Sequence, residues 1–144
     1  MSKEKAEWIV GEQMLAKDAF SQWLGIQVDE IRPGFAELSM RVRPEMTNGF
    51  GIAHGGICYS LADTALAFAA NAHGPKSRSI NTSIVHTLAV AEGEKLLARA
   101  EEEYLHPKLA HYKVHIYNGK GEQVAIFQGS VYRSSKSWTP EELA

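Results

Sequence analysis

The sequence predicts an α+β domain in which one sheet packs against one long central helix. An Ala-rich apolar stretch follows His54-Gly55-Gly56 and runs with helical periodicity to Gly74-Pro75. Stretches of alternating apolar and polar residues, typical of strands, precede and follow it. A chain of 144 residues buries enough surface for one core. We therefore expect a single domain over residues 1–144, with its core at about 14–133.

The N-terminal segment is predicted to form an amphipathic helix over residues 4–24, packed on the sheet. Its apolar residues recur at helical spacing, which predicts that its aromatic side chains belong to the core and not to a cofactor site. These residues are Trp8, Leu15, Ala19, Phe20 and Trp23.

The strands are predicted in two groups. Residues 26–31 and 35–43 form a hairpin around Arg32-Pro33-Gly34, with one face of the second strand exposed to solvent. After the central helix, strands are expected near 79–88, 95–105, 111–117 and 122–133, the last two joined at Asn118-Gly119-Lys120-Gly121. Residues 134–144 are a polar tail apart from Trp138 and Leu143, and form either a frayed end or a capping segment.

The central helix, predicted at about 16 to 18 residues, carries one carboxylate in apolar surroundings. Its polar or small residues share one narrow face: Ser60, Asp63, Thr64, Ala67 and Asn71. Asp63 lies two turns beyond the glycines, too far to cap the helix, and has no Lys or Arg at i±3 or i±4. Asp63 is therefore either a core polar group bonded to Ser60, to Thr64 or to an asparagine elsewhere, or a catalytic residue.

The stretch Asn48-Gly49-Phe50-Gly51-Ile52-Ala53-His54-Gly55-Gly56 brings a glycine-rich loop to the start of this helix. Unpaired N–H groups and the positive end of the helix dipole are expected there. A carboxylate together with fixed N–H donors is what hydrolysis of an acyl carbonyl needs. The catalytic candidates are therefore Asp63, Gly55, Asn48 and His54, where His54 either orders the loop or contacts the substrate.

Asn48-Gly49, His54-Gly55-Gly56 and Ser60-Leu61-Ala62-Asp63-Thr64-Ala65 together resemble the motif of hot-dog-fold acyl-CoA thioesterases. The resemblance is closest to the PaaI-like, phenylacetate-degradation group, and extends over about residues 14–133. It implies a hot-dog fold, in which an antiparallel sheet wraps a long helix and active sites lie at a dimer interface. It also implies that Asp63 acts as base or nucleophile and that Gly55 of the other subunit donates its N–H to the thioester carbonyl. The substrate-binding candidates are Gly56, Ser60, Thr64 and Ser79.

The chain departs from the family in the strand after the helix. Relatives usually carry an aromatic-Leu-Arg-Pro stretch there, whereas this chain has Val85-His86-Thr87-Leu88-Ala89-Val90-Ala91-Glu92-Gly93-Glu94. The coenzyme A contacts of that loop are therefore not carried over to this chain.

The predicted function is hydrolysis of an acyl-CoA thioester, with aryl or phenylacetyl-type groups implied by the resemblance and medium-chain groups as the alternative. Two other functions stand as alternatives: a non-catalytic acyl-CoA-binding module, and a hydratase in which a His and an Asp share proton transfer. His54 and Asp63 lack the loop of such hydratases. The apolar circumference of the helix needs a cover that one sheet does not supply, which predicts a homodimer. The family resemblance implies that two such dimers associate into a homotetramer.

Composition restricts the partners. A net charge of −2 favours neither nucleic acid nor a membrane surface, and the chain has no targeting or membrane-spanning stretch, so we expect a cytoplasmic protein. Cys58 is the only cysteine and is expected to be a small buried hydrophobe. The six histidines lack the close paired spacing of zinc ligands, so we expect no metal and no cofactor, with the coenzyme A thioester as the substrate.

Overall fold

The computed structural model describes residues 1–139 of the chain. Its strands are β1 (Gln27–Arg32), β2 (Phe35–Arg41), β3 (Pro75–His86), β4 (Lys95–Leu105), β5 (Leu109–Tyr117) and β6 (Gln123–Ser137). They form one antiparallel sheet in the order β1-β2-β4-β5-β6-β3. The helices are α1 (Lys3–Trp8), α2 (Ala19–Leu24) and α3 (Gly55–Asn71), and α3 packs on the sheet. The predicted α+β architecture is confirmed.

Helix α3 has the predicted length, 17 residues, and local signals define both of its ends. His54 is the N-cap, where its Nδ1 accepts a hydrogen bond of 2.9 Å from the N–H of Gly56. Gly74 has a φ of 115°, a conformation that glycine adopts without steric cost, and it turns the chain into β3. The helix is therefore held by residues that adjoin it in the sequence.

The core lies between α3 and the inner face of the sheet. Leu61, Ala65 and Leu66 of α3 are fully buried against inward-facing residues of the strands. The backbone of β6 comes close to the helix at Gly129, where an added Cβ would lie 2.7 Å from Cδ1 of Leu66. Glycine at this position therefore lets the helix lie against the sheet.

The predicted N-terminal helix is present but interrupted. The α1 helix continues through a π-helical turn (Ile9–Met14) and a 3-10 turn (Leu15–Lys17), and Asp18 then starts α2. Asp18 has a φ of −102° and a ψ of 88°, and its side chain accepts from the N–H of Ser21. The short acceptor side chain of an aspartate favours such a cap over a helix interior. A continuous helix over residues 4–24 was therefore the wrong prediction.

This interruption also changes which aromatic residues are buried. Trp8, Phe20 and Trp23 are 37%, 54% and 48% exposed, so the prediction that they belong to the core was wrong. Phe20 and Trp23 stack on each other on the surface, with ring centroids 6.2 Å apart. Because α2 starts anew at Asp18, its residues do not continue the buried face of α1.

The strand bounds differ from the prediction at two places that matter for the site. Strand β3 begins at Pro75, directly after Gly74, and not near residue 79. Strand β6 continues through Ser137, so residues 134–137 belong to the sheet and not to a tail. Trp138 and Thr139 then fold back on the end of α3, which favours a capping segment up to that point. Leu143 lies outside the described residues.

Strands β1 and β3 are the two edges of the sheet. On β3, Ile80 and Val85 are 61% and 63% exposed. A long edge strand with exposed apolar side chains is a surface that favours pairing with another strand. Within residues 1–139, no helix is long and apolar enough to cross a membrane.

Candidate active site

Asp63 lies half-buried on α3 and faces a cavity of about 680 Å³. The floor of this cavity is the stripe Asp63, Ala67 and Asn71, spaced by four residues and therefore aligned along one face of the helix. Met14 and Trp138 also line the cavity, with the β3 residues 76–79 along its side. The carboxylate thus stands at one end of a partly apolar groove that follows α3.

Burial raises the pKa of Asp63 above the ordinary range of an aspartate, and it is the only cause of that shift. No hydroxyl or cation of the described residues supports the charged form, so the alternative of a carboxylate bonded to Ser60 or Thr64 is not what the structure describes. A carboxylate of raised pKa is a better proton acceptor near neutral pH than an ordinary one. This is the electrostatic setting of a general base.

Gly55 stands at the first turn of α3, and its N–H has no acceptor within the part of the chain described. The next N–H, of Gly56, is taken by the ring of His54. The N–H of Gly55 therefore lies at the positive end of the helix dipole, where it can donate a hydrogen bond to a carbonyl oxygen. Gly55 also lies against His86, because an added Cβ would be 3.3 Å from His86 Nε2.

Gly55 and Asp63 line different cavities within one chain. Gly55 belongs to a cavity of about 420 Å³ that also includes Asn48, Phe50 and His86. At a rise of about 1.5 Å per residue, Gly55 and Asp63 are about 12 Å apart along the axis of α3. One small acyl carbonyl cannot contact both groups of the same chain.

The other predicted site residues divide into loop, helix and cavity positions. Asn48 orders the loop before α3, since its Oδ1 accepts from the N–H groups of Phe50 at 3.0 Å and Ile52 at 3.4 Å. Thr64 donates its hydroxyl to the carbonyl of Ser60 at 2.8 Å, a bond within the helix. Ser79 lines the cavity of Asp63. Gly56 and Ser60 are not among the residues that line either cavity.

Most residues that line the two cavities were not predicted as site residues, and four of them bear on the argument. Met14, Asn71 and Trp138 line the Asp63 cavity, and His86 adjoins Gly55. Trp138 had a signal, because it is a large apolar residue in a polar segment, whereas Met14 had none that separates it from ordinary core residues. Cys58 is buried, and burial raises its pKa to about 11, so it remains a thiol near neutral pH.

Comparison with known proteins now identifies the family. Residues 50–125, which contain both Gly55 and Asp63, match the family described as the Thioesterase superfamily. This chain belongs to the thioesterase superfamily. The match extends well beyond a motif, because the acyl-coenzyme A thioesterase PaaI of Escherichia coli K12 is 32% identical over 134 residues, covering 93% of this chain and 96% of PaaI.

Solved structures agree with that assignment. The structure of the Escherichia coli PaaI protein, from the phenylacetic acid degradation operon, superposes on this thioesterase with a TM-score of 0.90 and covers 94% of it and 97% of PaaI. A mutant of the phenylacetic acid degradation protein PaaI from Thermus thermophilus is 35% identical, with a TM-score of 0.78, over 81% of this chain and all of that one (100%). The hot-dog fold is confirmed, and the chain is a thioester hydrolase of the PaaI type.

Proposed function

We propose that this thioesterase hydrolyses acyl-CoA thioesters with Asp63 as base or nucleophile and the Gly55 N–H as carbonyl donor. The observation that carries the proposal is that one helix bears both a half-buried carboxylate and an N–H that has no acceptor among the described residues. These are the two groups that acyl hydrolysis needs. The names of the PaaI relatives add the substrate class, an acyl-coenzyme A, and favour aryl or arylacetyl groups over medium-chain ones.

Two chemical routes fit one carboxylate. As a base, Asp63 accepts a proton from water while the water oxygen bonds to the carbonyl carbon; the carbon–sulfur bond then breaks and the thiolate takes up the proton. As a nucleophile, the Asp63 oxygen bonds to the carbonyl carbon and displaces the thiolate, and water hydrolyses the resulting anhydride. In both routes the oxyanion is stabilised by the N–H of Gly55.

The separation of Gly55 and Asp63 within one chain supports an active site shared between two subunits. If β3 pairs antiparallel with β3 of a second copy about its midpoint, the start of one strand lies beside the end of the other. The end of β3 carries His86, which lies beside Gly55 and lines the same cavity, and the start of β3 lines the cavity of Asp63. This arrangement brings Gly55 of the partner subunit towards Asp63.

A homodimer is therefore the smallest active unit in this proposal, and a tetramer would be a dimer of such dimers. The exposed edge of β3 supplies the physical reason for pairing: Ser77 bonds to Asn71, but within residues 1–139 no strand pairs with β3 on that side. Ile80 and Val85 become covered when the edge is paired.

The reaction is tested by incubating the purified protein with a panel of acetyl-, medium-chain and phenylacetyl-CoA, with a thiol reagent to detect free coenzyme A. We expect release of coenzyme A, fastest for the aryl or arylacetyl group. Asp63→Asn keeps the shape of the side chain and removes its basicity, and should lower kcat by about 10² to 10⁴. Turnover at the wild-type rate in this variant would refute the role of Asp63.

The shared site is tested by mixing Asp63→Asn protein with Gly55→Ala protein under conditions of subunit exchange. Random pairing makes half of the dimers mixed, and each mixed dimer has one intact site, so activity should recover to about a quarter of the wild-type value. No recovery after confirmed exchange would place both residues in one chain's site. A fully active monomer would overturn the interface altogether.

A further inference from the structure

The cavity of Asp63 ends at a residue outside the part of the chain that matches the thioesterase superfamily. Its floor runs along α3 from Asp63 past Ala67 to Asn71, about 12 Å at the rise of an α-helix. Ala67 is small and leaves the middle of this groove open. Trp138 stands at the Asn71 end, beyond residues 50–125.

Several contacts fix Trp138 in place. Its indole Nε1–H donates to Oδ1 of Asn71 at 2.8 Å, and its backbone N–H donates to the carbonyl of Gly74 at 2.9 Å. The Nζ of Lys76 lies 4.5 Å from the centroid of the indole, a cation–π contact. Asn71 and Lys76 thus contact the indole, and the backbone of Trp138 is bonded to Gly74.

Asn71, the anchor of Trp138, is itself fixed. It is 2% exposed, and its Nδ2 donates to the carbonyls of Ala67 at 2.8 Å and Ser77 at 3.1 Å. Its Oδ1 also accepts from the N–H of Ser77 at 2.9 Å. Because the side-chain amide of Asn71 has hydrogen-bond partners at both its oxygen and its nitrogen, it holds Trp138 in one position at the end of the groove.

We propose that Trp138 is the end wall of the acyl pocket and sets the longest acyl group that the enzyme accepts. This inference rests on the proposed function, because it takes Asp63 as the point at which the thioester carbonyl reacts. From that carbonyl, the coenzyme A side is polar and must reach solvent. The groove towards Trp138 has an apolar side, formed by Met14, Ala67 and the indole, and a polar side on β3 and β6, formed by residues 76–79, Ser134 and Lys136. The acyl group is the apolar part of the substrate, and it fits the apolar side of this groove.

Two variants should shift acyl selectivity in opposite directions. Trp138→Ala removes the wall and should move the optimum to acyl chains longer by about two carbon atoms or more, since an apolar pocket discriminates at about 10- to 200-fold per methylene group. Ala67→Leu fills the middle of the groove and should move the optimum towards acetyl. Opposite shifts from two separate positions cannot come from a general loss of stability.

The experiment measures kcat/KM for straight-chain acyl-CoA substrates from acetyl to dodecanoyl, and for phenylacetyl-CoA, with wild type and each variant. Trp138→Phe keeps one aromatic ring at the wall and loses the second ring and the indole N–H, so its profile should lie between those of wild type and Trp138→Ala. Trp23→Ala is a matched control, because it removes a half-exposed tryptophan on α2, outside the cavity lining. Circular dichroism and thermal unfolding establish that each variant is folded.

The outcomes separate this inference from the proposed function. If wild type releases coenzyme A from none of these substrates, both fail. If wild type is active and folded Trp138→Ala keeps the same chain-length optimum, only the role of Trp138 is overturned. An equal fall for every substrate also overturns it, because that result places the coenzyme A portion, and not the acyl chain, at this wall. If Trp138→Ala does not fold, an unchanged optimum in Ala67→Leu overturns the inference.

Discussion

Replacing Gly55 by alanine should separate the role of this residue in activity from its role in stability. Gly55 has no positive φ, so its backbone conformation suits any residue. The added Cβ would lie 3.3 Å from Nε2 and 3.5 Å from Cε1 of His86, a tight contact, but His86 is exposed and its ring can move by a few tenths of an ångström. Alanine is also a better helix former than glycine by about 0.5–1 kcal/mol.

These two effects oppose each other, so the free energy of unfolding should change by less than about 1 kcal/mol and the Tm by a few degrees at most. The effect on activity is larger. The methyl group stands beside the Gly55 N–H, which has no acceptor among the described residues and which the thioester carbonyl must approach. Alanine keeps the N–H but crowds the approach of the carbonyl, so kcat should fall by up to the factor of about 10² to 10³ that loss of one oxyanion donor costs.

The assay combines steady-state hydrolysis with thermal unfolding of Gly55→Ala. Gly119→Ala is the control, because it makes the same change at an exposed turn where nothing lies within 4 Å of the added Cβ. Wild-type kcat in Gly55→Ala would refute the expectation that the thioester carbonyl reaches this N–H past the position of the added methyl group. A large fall in Tm would show instead that Gly55 is needed for packing.

Two further substitutions test the energetics of the core and of the buried carboxylate. Because burial raises the pKa of Asp63, ionisation of this carboxyl destabilises the folded protein at any pH above the ordinary carboxyl pKa. Asp63→Asn should therefore raise Tm at pH 7. The increase in Tm should shrink as the pH falls through the raised pKa, and it should vanish below the ordinary carboxyl pKa. Calorimetry of both proteins across this pH range measures the difference in Tm. A difference that stays the same at every pH would contradict the argument. Gly129→Ala would place a Cβ 2.7 Å from Leu66 Cδ1 and 3.2 Å from the carbonyl oxygen of Asn81, and should lower the free energy of unfolding in urea by about 1–3 kcal/mol. Gly119→Ala should change it by less than about 0.5 kcal/mol, and equal effects of the two would contradict the packing argument.

The sequence by itself determined those features that depend on neighbouring residues. Helix α3 was predictable in length and burial, because its periodicity, the residues before it and Gly74-Pro75 all act within one segment. For the same reason Asp63 could be recognised as a carboxylate without a local partner, and Gly55 as a helix-start N–H. The N-terminal segment was only half predictable, since helical periodicity there competes with the capping preference of Asp18, and the cap prevails.

The tertiary structure alone decided what lies around these residues. Trp138 reaches Asn71 across 67 positions of sequence, and only the extension of β6 through Ser137 brings it to the end of α3. The placement of Gly55 and Asp63 in two different cavities likewise depends on which strands border each end of the helix. Such contacts follow from the order of strands in the sheet, a non-local property that the alternation of residues within each strand leaves open.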